Sequence, residues 1–150
     1  MFIRLVMAAV LLAVCVIVHA LVMTSMLRRL SRSASPKILR FCRTMWILIL
    51  VAFCISSALL VEIAIWASFL TWQHVFPDFR TSFYFSAVTY TTVGYGDLVL
   101  PEAWRLFAAV EGLTGILMCG WSTGVFFAVV SAMYSSQQAG AGIADRTSGR

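Results

Sequence analysis

Apolar residues in this chain come in three long, nearly uninterrupted stretches separated by short polar segments. The first, Leu5 to Leu27, is 23 residues broken only by His19, Thr24 and Ser25, and as a helix it is about 35 Å long. The second, Thr44 to Leu70, carries Glu62 as its only charge. The third, Trp104 to Tyr134, is 31 residues with Arg105 at its start and Glu111 as the charge in its interior. Its roughly 46 Å exceeds the ~30 Å hydrocarbon slab, so it is expected to tilt or to extend beyond it. A backbone in lipid must satisfy its own hydrogen bonds, so each stretch predicts a membrane-spanning helix. No internal repeat and no barrel-like alternation is present. The small, polar residues from Ser135 to Arg150 predict a disordered tail.

Composition points the same way. With 61% hydrophobic and 11% charged residues, against the ~25% charged of a soluble domain, the chain cannot wrap itself in polar surface. Most soluble-enzyme classes are excluded, as is disorder of the whole. The length fits one compact membrane domain. No nucleophile–base pair or metal cluster is legible, so neither an enzyme nor a resident cofactor is expected.

The net charge of +5 is concentrated: Arg28, Arg29, Arg32, Lys37, Arg40 and Arg43 supply six of the eleven basic residues. Lying between two apolar runs, they read as a cytoplasmic loop over 28–43 under the positive-inside bias. The same cluster suits anionic lipid, whereas nucleic acid would need a folded basic face. The alternative, a signal peptide cleaved near Val18-His19-Ala20, would leave this loop outside and breaks that bias. The expected topology in the cell membrane therefore has the N-terminus outside and the C-terminus cytoplasmic, with Trp66, Trp72 and Trp104 near the outer interface. Cys15, Cys42, Cys54 and Cys119 form no C-x-x-C pair and read as small hydrophobes.

Between the second and third runs lies Thr91-Thr92-Val93-Gly94-Tyr95-Gly96-Asp97. A chance match to seven fixed residues is about one in a billion per start position. With this motif, residues 44–134 resemble the pore domain of the potassium-channel superfamily: outer helix 44–70, re-entrant pore helix 80–90, filter 91–97 and inner helix 104–134. The first helix, 1–27, lies outside the resemblance. The fold expected is an all-α membrane protein with three transmembrane helices, a pore helix and a filter, assembled as a homotetramer.

The resemblance implies passive K+ conduction, with permeant ions held by carbonyls of Thr92, Val93, Gly94 and Tyr95 and by the Thr92 hydroxyl, and Gly96 completing the filter. Aiming successive carbonyls at one axis needs positive φ, which Gly94 and Gly96 adopt at little cost. Val93 and Tyr95 are expected to point away from the axis onto the pore helix. Residues 80–90 are too short to span, and Thr81 is the expected N-cap. Competing readings are a poorly selective cation channel, which intact Tyr95 and Gly96 disfavour, and a non-conducting subunit that assembles with other channels.

The supporting residues carry expectations of their own. Thr91 and Asp97 flank the filter, Tyr84 is a hydrogen-bond partner in reach of Asp97, and Val88 stands where some bacterial channels carry a carboxylate. Glu111 has two readings: a carboxylate behind the filter bonded to pore-helix hydroxyls such as Thr89 or Thr91, or a neutral acid buried at a helix contact. Glu62 also has two: a wetted charge near the outer interface, or a group resembling the carboxylate that anchors the pore loop in voltage-gated-type channels. His19 and His74 lack a partner pattern and read as structural or exposed. On the inner helix the resemblance places a flexing glycine at Gly115 and cavity-facing Ile116, Cys119 and Thr123, with Phe127 one turn lower as a gate. Gly120 and Gly124 have the spacing of a close helix contact. No helix carries a voltage-sensing arginine ladder.

Overall fold

The computed structural model describes the backbone of residues 2–32 and 40–148, with side chains for 2–30 and 44–135. It contains α1 (Phe2–Arg32), α2 (Arg40–Trp72), α3 (Phe79–Tyr90), a 3₁₀ turn (Glu102–Trp104) and α4 (Arg105–Ser148). Among the described residues there is no strand. Three apolar stretches, Phe2–Leu30, Thr44–Trp72 and Glu102–Ser135, are long enough to cross a bilayer. The protein is thus an all-α membrane protein with three spanning helices and one short helix.

The helices extend beyond their apolar runs. Once a helix is nucleated, each added residue costs little, so α2 begins in the basic segment at Arg40. By the same propagation α4 continues to Ser148 through Ala- and Gln-containing sequence, across the tail expected to be disordered. Lys37 of the basic cluster lies outside the described residues, as do the side chains of Arg32, Arg40 and Arg43.

Helix α1 lies against both α2 and α4, and α3 sits between the same two helices. The buried positions of α1 are Ala8, Cys15, His19, Met23 and Met26, spaced by three, four or seven residues and therefore on one stripe. Val6, Val10, Ile17 and Leu21 on its other sides are exposed, as suits a helix surrounded by lipid. Two cores result. One gathers Ala8, Cys15, Ile63, Trp66, Leu70, Phe85, Tyr90, Phe107 and Met118 from all four helices. The other joins Met23, Met26, Val51, Ala58 and Val129, where only α1, α2 and α4 remain.

The start of α1 is fixed at the end that carries the loop. Arg4 Nη1 donates to the Ala103 carbonyl at 2.8 Å, and its guanidinium lies 4.7 Å from the centre of the Trp104 ring. Beneath it, Trp104, Phe107, Phe69 and Trp66 form edge and stacked ring pairs. Trp66, expected at the interface, is instead fully buried in this cluster. Of the three tryptophans expected there, Trp72 is 71% exposed and Trp104 is half-buried.

Candidate functional site

The chain leaves α2 through a tight stop. Val75 N–H donates to the Leu70 carbonyl and His74 N–H to that of Thr71, with His74 at φ 52°. This is a Schellman closure with histidine where glycine is usual. The next helix, α3, starts at once. Its N-cap is Asp78, not Thr81: the carboxylate accepts from Thr81 N–H at 2.8 Å and from the Thr81 hydroxyl at 2.9 Å. A carboxylate has two acceptor oxygens where a hydroxyl has one, so Asp78 takes the cap and Thr81 becomes its donor. These bonds hold the Asp78 carboxyl below its ordinary pKa, the Thr81 backbone N–H contributing most. A 2.8 Å bond from Thr71 to Ser82 ties α3 back to α2. The 12 residues of α3 give about 18 Å of helix, too little to cross.

Beyond Tyr90 the backbone changes handedness residue by residue. Thr92, Gly94 and Gly96 have φ of 61°, 55° and 78°. Val93 and Tyr95 between them are not left-handed, since His74 and Thr92 are the only non-glycine positive-φ residues among those described. Such alternation turns successive carbonyls to one side instead of opposite sides. The amides turn back: Thr92 N–H bonds the Thr89 carbonyl, and Val93 and Gly94 N–H both bond that of Val88, at 3.0 to 3.2 Å. Val88 thus supports the strip through its carbonyl. Thr91 caps α3, with its hydroxyl on the Ala87 carbonyl at 2.6 Å.

Residues 91–97 are all exposed within one chain. Val93 and Tyr95 are 52% and 71% exposed within one chain. At the far end of the strip, Tyr84 donates its hydroxyl to Asp97 Oδ2 at 2.7 Å. That bond, before any other cause, raises the Tyr84 pKa above 10.0.

Behind α3 lies a network that the sequence did not announce. Glu62 is fully buried and therefore not a wetted interfacial charge. Its Oε2 accepts from the Tyr90 hydroxyl at 2.6 Å, and its Oε1 meets His19 Nδ1 at 2.8 Å. His19, also fully buried, places Nε2 3.1 Å from Ser122 Oγ and its ring 5.3 Å from Trp121. Depth measured from Thr44 misled for Glu62: ten residues of α2 follow it, about 15 Å of helix. The available signal was that His19 and Glu62 are the imidazole and the carboxylate inside two consecutive apolar runs, and such groups pair.

Glu111 is buried in α4 and neither oxygen has a hydrogen-bond partner. Thr89 and Thr91 do not reach it; the hydroxyl beside it is that of Ser86, itself buried and unpartnered. Glu111 is thus buried where α4 meets the pore helix, beside a hydroxyl of α3 other than the two named from the sequence.

Gly115 is a contact, not an open hinge. A Cβ there would stand 1.8 Å from the Tyr90 carbonyl oxygen, so only glycine lets α4 meet the end of α3. Gly120 and Gly124 face open space within the chain, so their spacing marks no intrachain helix contact. Ile116, Cys119, Thr123 and Phe127 are all exposed, Phe127 at 71%, and Thr123 bonds the Cys119 carbonyl. Arg28 and Arg29 lie exposed near the far end of α1.

Comparison with known proteins agrees with this geometry. A family model described as ion channel matches residues 45–132. No curated protein and no solved structure matches the chain. The matched span takes in α2, α3, the exposed strip and α4 up to Ala132, and the chain belongs to the ion channel family, with a pore domain of the potassium-channel type.

Proposed function

We propose that this protein is a potassium-selective channel in which four identical chains surround one filter. The supporting observation is the left-handed backbone at Thr92, Gly94 and Gly96 inside the Thr-Val-Gly-Tyr-Gly strip. With amides of Thr92, Val93 and Gly94 engaged by α3, the carbonyls of Thr92, Val93, Gly94 and Tyr95 are left for a cation. These oxygens, with the Thr92 hydroxyl, replace the water that K+ sheds. Neutral carbonyls bind an ion firmly enough to admit it and weakly enough to release it to the next site.

One strip cannot enclose an ion, and irregular backbone at membrane depth is tolerated only when buried in protein or lining a water-filled path. Exposed Val93 and Tyr95 then find their packing in neighbouring chains, and cyclic symmetry closes the ring. The carboxyl-terminal end of α3 directs the negative end of its dipole at the cation below the filter. Ile116, Cys119 and Thr123 line that cavity, and Phe127 narrows its cytoplasmic mouth.

Purified protein in liposomes with opposed potassium and sodium gradients tests this directly. A reversal potential that follows potassium is expected. One midway between the two ions would replace the proposal with a poorly selective cation channel, and absence of current with a non-conducting subunit.

A further inference from the structure

We propose that His19 of α1 is a positioning residue for the filter, so that the extra helix is part of the selectivity apparatus. The inference rests on the channel reading above, and concerns a helix that lies outside the matched pore domain.

With Glu62 as a carboxylate, one set of hydrogen bonds fits the distances. Tyr90 can only donate to a carboxylate, which it does at Glu62 Oε2. Oε1 then takes its hydrogen from His19 Nδ1. In a neutral ring this leaves Nε2 as the acceptor, filled by the Ser122 hydroxyl. The chain Ser122 to His19 to Glu62 from one side, and Tyr90 to Glu62 from the other, satisfies every polar group. All four residues are buried, the most open being Ser122 at 4%.

Tyr90 is the last residue of α3, next to the carbonyls of Val88 and Thr89 that hold the amides of Thr92, Val93 and Gly94. Glu62 fixes where that helix ends. His19 in turn fixes Glu62: without it, Oε1 loses its partner in a buried site, and the carboxylate is free to turn away from Tyr90. Helix α1 is well placed to resist that movement, being pinned by Arg4 on Ala103 above and by Met23 and Met26 in the second core below. Ser122 lies seven residues beyond Gly115 on α4, about 10 Å along the helix. His19 thereby joins the inner helix to the same carboxylate.

Two substitutions in the full-length protein separate positioning from bulk. His19→Phe keeps an aromatic ring against Trp121 and removes both hydrogen bonds. His19→Asn keeps a side-chain N–H where Nδ1 stands and so keeps the bond to Glu62. In liposomes under potassium and sodium gradients, His19→Phe is expected to lower the potassium-to-sodium permeability ratio about tenfold, the scale of one charge-assisted hydrogen bond lost from a buried site. His19→Asn is expected to restore most of it. If His19→Phe cannot be recovered as an assembled protein, Tyr90→Phe removes the other bond to Glu62 and is expected to give the same loss. A wild-type ratio retained by His19→Phe, or by Tyr90→Phe in its place, overturns the inference while leaving the channel reading intact. A wild-type protein that does not discriminate potassium from sodium defeats the channel reading itself.

Discussion

Gly94 and Thr92 illustrate two costs of the same backbone state. At φ 55° a Cβ on residue 94 costs roughly 1–2 kcal/mol, in each chain of the assembly. Gly94→Ala is therefore expected to abolish or derange potassium flux while the assembled protein remains, checked by liposome flux beside particle mass. Thr92 bears such a cost already at φ 61°, held there by the bond from its amide to Thr89. The motif announced both glycines, yet nothing in a threonine codon signals a left-handed backbone, because the strain is maintained by contacts from α3. Tyr84 carries a pH consequence. An unfolded tyrosine ionises near 10.0, and the bond to Asp97 raises that value in the folded protein. Its support for the outer mouth is therefore complete below pH 10 and is lost as pH rises through the higher value. Flux through wild type is expected to fall at strongly alkaline external pH. Tyr84→Phe is expected to lack that fall, since it lacks the bond at every pH.

At the scale of elements, the three apolar runs were legible because lipid allows a spanning segment few other conformations. The short α3 was legible from its length and from the polar turn before it. Its cap was misassigned by three residues, since Asp78 and Thr81 are both good capping residues and only the backbone reveals which one is extended. Gly115 was legible as a special position, while its contact with the Tyr90 carbonyl was not. A helix-bending glycine tolerates alanine moderately well, whereas one pressed against the Tyr90 carbonyl does not. Gly115→Ala is expected to destabilise the protein by about 3 kcal/mol, read from thermal unfolding in detergent. Gly120→Ala, at an open position, is the control that should change far less. Lower on α4, Phe127→Ala is expected to raise leak through closed channels, measured as flux in the absence of any stimulus. Unchanged leak removes Phe127 as the constriction.

For the whole molecule, the exposed strip of residues 91–97 is the feature that a single chain leaves incomplete. Particles in mild detergent are expected to have about four times the 16.6 kDa chain mass. A monomeric mass would remove the ring of carbonyls and the channel with it. The position of α1 also belongs to this scale. Its apolar run marks it as long enough to cross the membrane, and the basic segment after it predicts an orientation. Neither says that its buried stripe lies against both α2 and α4.

The sequence by itself determined the solvent of this protein, the number of crossings and the chemistry of the strip, because these depend on long apolar runs and on a motif whose glycines permit unusual backbone. Tertiary structure alone decided which helix faces meet. Helices apolar on every side carry no stripe that selects a neighbour, so the pairing of His19 with Glu62, the burial of Trp66 and the contact at Gly115 were set by three-dimensional packing.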